Sequence, residues 1–248
     1  MDAITYVGHA TLRIEQGDLR LLTDPLLTAR VGHLGRTSPT PDTTGWNIDA
    51  VLISHLHADH LHLPSLRRLQ PAPRLLAPRG AAAYLSRHGF THVVETAPGE
   101  VVTIKGVAIE TTSADHAGRH MPGRPHTAAV GYIIHGPRPV YFAGDTDLFA
   151  GMAAIGAKSD VALVPVWGWG PTLGPGHLNP YRAAQALELL RPSLAIPIHW
   201  GTYFPIGLRP FLPRLLSHPP RTFARYAAAF TPEVRVAVLN PGEGLALG

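Results

Sequence analysis

The chain has 248 residues, a formal net charge of +4 and no cysteine. That length suits one large α/β domain spanning 1–248 with its own core. The missing cysteine excludes disulfides, iron–sulfur clusters, thiolate zinc sites and a catalytic thiol, so a metal must be held by nitrogen and oxygen. The 21 basic and 17 acidic residues are interspersed, without a basic tail, which argues against a nucleic-acid partner. The start, Met1-Asp2-Ala3-Ile4, lacks the basic and apolar regions of a secretory signal, and a cytoplasmic protein is expected. The uncharged stretch from Val161 to Tyr181 is broken by prolines and glycines, so no transmembrane segment is expected. The outstanding feature is 15 histidines.

In chain order, β-rich stretches at Ile4–Val7, Thr11–Glu15 and Arg20–Thr23 predict strands, with a hairpin at Gly17-Asp18. Leu26 to Trp46 reads as a long loop, and Ala50 to Ile53 as a short buried strand. A helix from Pro64 to Leu69, a strand at 74–77, a helix at 79–87 and a strand at 92–94 follow. Strands are predicted at 101–104, 107–113, 128–134, 139–143, 161–166 and 194–198. Helices are predicted over Leu148–Ile155 and over Pro180–Leu190, the latter capped by Asn179. A last helix near 209–217 and a strand at 234–239 end the chain. This order suggests two similar halves, each a sheet with outer helices.

His55-Leu56-His57-Ala58-Asp59-His60 follows the Ala50–Ile53 strand. In extended chain His55 and His57 point to one side, so one cation can take both. Asp59 and His60, past the bend, can face a second. Three imidazoles and a carboxylate within six residues would be costly to bury unpaired.

This run resembles the His-x-His-x-Asp-His signature of the metallo-β-lactamase superfamily, and the resemblance covers nearly the whole chain. Tyr6-Val7-Gly8-His9-Ala10-Thr11, Thr23-Asp24-Pro25, Ser113-Ala114-Asp115-His116, Phe142-Ala143-Gly144-Asp145-Thr146 and Pro197-Ile198-His199-Trp200-Gly201-Thr202 are similar to its other motifs. The branches most resembled are the L-ascorbate-6-phosphate lactonase-like and N-acyl-phosphatidylethanolamine phospholipase D-like hydrolases. The implied fold is an α/β four-layer αββα sandwich, with the site at one edge between the sheets.

Carried over by position, the resemblance gives one metal to His55, His57 and His116, and a second to Asp59, His60 and His199, with Asp145 between them. Zinc suits this donor set, with manganese or iron(II) as alternatives. With Asp59, Asp145 and a bridging hydroxide counted, two divalent ions leave a centre of about +1, which favours anionic groups. The implied activity is hydrolysis of a small anionic phosphoester, phosphodiester or lactone by that hydroxide. Alternatives are an RNA-processing metallonuclease and a non-catalytic metal-binding protein of the same fold. Iron oxygen-reductase members carry an acidic residue where this chain has His57.

Asp59 is taken as catalytic as well as ligating, and His177 as a proton donor to the leaving group. His9 and Asp24 are expected to orient ligands. Arg119 would bind an anionic group by its guanidinium fork, and Trp167, Trp169 and Tyr203 would wall the substrate pocket. The chain departs from the two branches at His62, where they commonly have Asp. Oligomeric state is not legible.

Overall fold

The structure is a computed structural model that describes residues 2–116, 123–168 and 174–248. Its strands form two seven-stranded sheets and one small three-stranded sheet. The first half supplies β1 (Ala3–Gly8), β2 (Thr11–Gln16), β3 (Leu19–Thr23), β4 (Arg30–Val31), β5 (Leu34–Arg36), β6 (Ala50–Leu52), β7 (Arg74–Pro78) and β8 (Val93–Thr96). Helices α1 (Leu63–Leu66) and α2 (Ala82–Arg87) lie between its later strands. The second half holds β9 (Val101–Ile104), β10 (Val107–Ser113), β11 (Val130–His135), β12 (Val140–Phe142), β13 (Val161–Pro165), β14 (Leu194–Ile198), β15 (Tyr203–Pro205) and β16 (Arg235–Val236). Its helices are α3 (Met152–Gly156), α4 (Pro180–Leu190) and α5 (His218–Phe230), and β17 (Gly244–Ala246) ends the chain.

The first sheet runs β17-β1-β2-β3-β6-β7-β8 and the second β16-β14-β13-β12-β11-β10-β9. The two predicted halves each supply one large sheet, except that β17 crosses back to pair antiparallel with β1, Ile4 opposite Leu245, and β15 joins β5. Alternation of side chains decides the layers. Ile4, Tyr6, Leu12, Ile14, Leu21 and Leu52 point inward and join Tyr132, Ile134 and Phe142 of the second sheet in one core, which continues to Leu187 of α4 and Phe223 of α5. The intervening Leu22, Val51 and Leu75 point outward into a second cluster, closed by Leu66 of α1 and Tyr84 and Leu85 of α2. These layers match the expected αββα sandwich.

Local chemistry explains the helix boundaries. Asn179 Oδ1 accepts from the amides of Tyr181 (3.0 Å) and Arg182 (2.9 Å), and Pro180 opens α4 where an amide has no intrahelical partner. The helix expected near 209–217 is displaced: Pro213–Leu216 forms only a 3-10 turn, and α5 starts at His218. Pro219 and Pro220 occupy its first turn, where proline is tolerated. The strand expected at 234–239 shrinks to Arg235–Val236, pairing with β14. The stretch 26–46 is not wholly loop, because β4 and β5 form a hairpin on which β15 adds, Tyr203 opposite Arg36.

No helix among the described residues is long and apolar enough to cross a membrane.

Candidate metal centre

Strand direction gathers the site. In the first sheet β1, β3 and β6 run the same way, and in the second β10, β12 and β14 do. His9, Asp24 and His55 follow the carboxyl ends of the first three; His116, Asp145 and His199 follow those of the second. Six chemistry-bearing residues therefore leave two sheets at one edge.

Three of them sit in left-handed backbone, His9 at φ 59°, Asp24 at 30° and His199 at 63°. Such positions cost about 1–3 kcal/mol each and persist only where the surroundings enforce them. Here the sheet ends are tied across the gap. The His199 amide donates to His9 O (2.8 Å), the His9 amide to Thr202 Oγ1 (2.8 Å), and Tyr6 Oη to Trp200 O (2.8 Å). Gly144, at φ +60°, delivers Asp145; a Cβ there would lie 2.5 Å from Ser54 Cβ.

The side chains form two adjoining groups. His57 Nδ1 lies 2.9 Å from His55 Nε2 and 3.3 Å from His116 Nε2. His60 Nε2 lies 3.1 Å from His199 Nε2, and Asp59 Oδ2 is 3.8 Å from each. Asp145 stands between, with Oδ2 at 3.2 Å from His60 Nε2 and 4.0 Å from His55 Nε2, and Oδ1 at 3.4 Å from His199 Nε2.

Their outer hydrogen bonds fix the tautomers. His60 Nδ1 donates to Asp24 Oδ2 (2.7 Å), His199 Nδ1 to Trp167 O (2.7 Å) and His116 Nδ1 to Gly176 O (2.7 Å), all of them acceptors only. Ser54 Oγ donates to Asp24 Oδ2 (2.5 Å), so its lone pair accepts from His55 Nδ1 (3.0 Å). In the neutral rings, each of the four Nε2 atoms therefore turns a lone pair inward.

Electrostatics agree. Burial holds the imidazoles of His55 and His116 below their ordinary pKa and pulls His199 down to about 3, so these rings are neutral and able to ligate. Burial also works against charge on His60, but Asp145, Asp59 and Asp24 outweigh it and raise its pKa well above the ordinary value. That locus demands positive charge, from a proton or a metal ion. Burial opposes ionisation of Asp59 and Asp145 as well, yet the surrounding histidines hold both carboxyls well below the usual range.

The donor set fits divalent cations. His55, His57 and His116 form one group able to hold an ion; Asp59, His60 and His199 form another, joined by His9. Asp145 Oδ1 is buried without a hydrogen-bond partner among the described residues, as a bridging ligand would be. Chain-order reading had scattered these residues over 144 positions, from His55 to His199, and the fold collects them.

Of the residues expected to orient ligands, His9 donates from Nε2 to Asp59 Oδ2 (3.0 Å), and Asp24 also accepts from the Ser54 amide (2.7 Å). Asp24 is fully buried, so its charge belongs to the centre. His177 approaches the open side, its Nε2 3.5 Å from Asp145 Oδ2, with its ring edge-on to His116. Burial works against its protonation, but Asp145 prevails and raises its pKa.

Two expected wall residues are placed differently. Tyr203 is 1% exposed, and its hydroxyl donates to Thr28 O (2.5 Å) and lies 3.1 Å from Leu26 O, so it fastens the β4–β5 hairpin. Its phenol is committed inward because β15 pairs with β5. Trp167 is also buried, stacked on Phe204, and contributes its carbonyl to His199. Arg119 and Trp169 lie outside the described residues. His62 heads α1 and bonds Ser65 Oγ (2.8 Å) through Nδ1 instead of reaching a ligand.

Sequence reading missed two groups. Ser54, beside His55, connects that ring to Asp24; its only signal was a small hydroxyl at a strand end. Arg124 reaches the ligand loop from 68 residues away in sequence, and nothing local announces it.

Layered fold and histidine–carboxylate edge together define a member of the β-lactamase superfamily, and residues 19–200 match the model of the Beta-lactamase superfamily domain. A UPF0173 metal-dependent hydrolase of Methanopyrus kandleri is 31% identical, with 97% of each chain covered. Another, from Deinococcus radiodurans, is 32% identical over 97% of each. The chain belongs to this UPF0173 metal-dependent hydrolase family. Among solved structures it is similar to Igni18, a metallo hydrolase of Ignicoccus hospitalis, with a TM-score of 0.76, 25% identity, and 98% and 97% of the two chains covered.

Proposed function

We propose that this protein is a dinuclear hydrolase, loaded with zinc in the first instance, that acts on a small phosphodiester or lactone. The reading rests on one observation above the others: Nε2 lone pairs of His55, His60, His116 and His199 converge around the buried Asp145 carboxylate. When bound, a pair of divalent ions supplies Lewis acidity and a water acidified to near neutral pH. His55, His57 and His116 would hold one ion and Asp59, His60 and His199 the other, with Asp145 within reach of both.

Charge narrows the substrate. Two divalent ions would bring four positive charges, and Asp24, Asp59, Asp145 and the hydroxide would remove four, leaving the centre close to neutral. A reacting group with at most a single negative charge matches such a centre better than a phosphomonoester dianion does. Asp59 and His177 flank the open side, 17% and 24% exposed in their side chains. His177 would give a proton to the departing oxygen, a role supported by the nearby Asp145 carboxylate, which favours its charged form. Arg119 would contact an anionic substrate.

Elemental analysis of protein purified without added metal should give close to two equivalents per chain, removable by chelation together with activity. Asp145→Ala should abolish hydrolysis across bis-p-nitrophenyl phosphate, lactones and N-acyl phospholipids. Folded protein that takes up no metal would overturn the reading. Two bound ions with no turnover on any of these substrates would reduce it to a metal-binding protein.

A further inference from the structure

The ligand loop His55–His60 is clamped from outside by one side chain. Arg124 Nη1 donates to the carbonyl oxygens of Leu56 and of Leu61, the latter at 3.0 Å. Leu56 lies between ligands His55 and His57, and Leu61 directly follows ligand His60. One guanidinium thus spans both ends of the loop that supplies four of the seven ligands. Its other face lies over the Tyr84 ring, 5.8 Å from the centroid, and Tyr84 is a buried residue of α2. The clamp is therefore backed by the outer helix layer and is not free to swing.

The clamp also ties two ligand-bearing segments together. Arg124 stands eight positions after ligand His116, in the chain leading to β11. The β11 amide of Val130 donates to Ser54 O (2.9 Å), and Tyr132 Oη to Ile53 O (2.9 Å), so the same stretch grips the strand end that presents His55. Arg124 is the only charged group in this set of contacts.

Electrostatics makes its presence informative. A fixed positive charge beside a centre built to accept cations works against their binding. A lysine would supply the same charge on a shorter stem, without the flat guanidinium that lies over the Tyr84 ring while Nη1 meets both carbonyls. The charge is tolerated for the geometry it imposes.

We infer that Arg124 is a positioning residue for the metal centre, fixing the separation of the ends of the ligand loop so that His55, His57, Asp59 and His60 meet their ions together. The inference rests on the dinuclear reading above. Its effect is opposite in sign to that of its charge, and this separates it from a merely electrostatic role.

The test is zinc affinity of the full-length protein, measured by competition with a chromophoric chelator, alongside the visible spectrum of the cobalt(II)-loaded form. Arg124→Met keeps the stem length and removes the charge. Positioning predicts a zinc affinity roughly 10–100-fold weaker, the range found when groups that orient metal ligands are lost, with an altered cobalt spectrum. Arg124→Lys should recover only a small part of the affinity. Unchanged or tighter zinc binding by Arg124→Met, with the wild-type cobalt spectrum, overturns the inference while leaving the dinuclear reading intact. Wild-type protein that binds no zinc overturns the dinuclear reading itself. Should Arg124→Met fail to give the wild-type far-ultraviolet spectrum, Arg124→Lys carries the decision: wild-type affinity and cobalt spectrum without the guanidinium would overturn it.

Discussion

His60 Nε2 and His199 Nε2 lie 3.1 Å apart, each with its other ring nitrogen bonded outward, to Asp24 and to the Trp167 carbonyl. Two lone pairs at that distance repel, so the pair is stable only with positive charge between them. Asp24 sets the arrangement, because its carboxylate fixes the His60 tautomer. Asp24→Asn can offer His60 Nδ1 an N–H in place of an oxygen, releasing the ring to turn. Zinc affinity should fall about 10–100-fold, most for the ion of Asp59, His60 and His199, since Asp24 meets His60 directly and His55 only through Ser54. Equal weakening for both ions would show that Asp24 acts on the whole edge.

Gly144 is required both by conformation and by space. Its φ of +60° disfavours a side chain, and a Cβ would lie 2.5 Å from Ser54 Cβ and 3.2 Å from Val130 O. Gly144→Ala should cost about 2–4 kcal/mol, combining left-handed strain with overpacking. It should also displace Asp145 and lower metal content. Urea denaturation of the metal-free proteins isolates the first effect, and elemental analysis reads the second.

His177 should matter to turnover and not to metal retention. The ring stands at the rim of the centre, with Nε2 at 3.5 Å from Asp145 Oδ2 and edge-on to His116; these three residues are close enough to share an ion, but neither proposed ligand triad needs His177. His177→Gln is expected to retain two equivalents of metal while kcat falls about 10²–10⁴-fold, the usual span for a lost general acid. A leaving group that needs no proton, such as p-nitrophenolate, should show a much smaller loss than an alkoxide.

Tyr203→Phe distinguishes a pocket wall from a fastening. The hydroxyl serves the carbonyl oxygens of Thr28 and Leu26, and it lies 3.3 Å from Arg36 Nη1. Its removal should destabilise the fold by about 1–3 kcal/mol, as buried acceptors lose their donor. KM should stay unchanged. A raised KM with unaltered stability would return Tyr203 to the substrate surface.

Acid should expose one ion-pair cluster away from the centre. Lys158 Nζ sits 2.7 Å from Glu110 Oε1, and His135 Nε2 sits 3.0 Å from Oε2. The hydrogen bond from Lys158 is the main influence holding the Glu110 carboxyl below its ordinary value of 4.5; partial burial opposes it, and His135 adds to the lowering. A carboxyl depressed in the folded state stabilises above its unfolded pKa, and that contribution is lost as pH falls through the folded value. Glu110→Gln should therefore be less stable than wild type at pH 7, by at most about 1 kcal/mol for so exposed a lysine. The difference in melting temperature should shrink steadily below pH 4.5 and vanish in stronger acid. A difference independent of pH would assign the effect to packing.

Much was determined by the sequence alone. Hydrophobic alternation placed β2, and continuous apolar runs placed the inner strands of the second sheet, Val161–Pro165 and Leu194–Ile198, which are buried throughout; both patterns are local properties of extended chain. Asn179-Pro180 placed the start of α4 for the same reason: a cap and a proline act within a few residues. The run His55 to His60 announced metal chemistry by composition and spacing. Only the tertiary structure decided the rest. The tautomers of His55, His60, His116 and His199 depend on Ser54, Asp24, Gly176 and Trp167, up to 60 residues from the ring they orient. Tyr203 and Trp167 looked like a pocket wall because aromatic residues near a ligand suit one; strand pairing and burial turned them inward. Arg124 left no trace in any short window, since its two acceptors are main-chain carbonyls, and every residue carries one of those. Which carbonyls stand within reach is settled by where the sheets bring the chain.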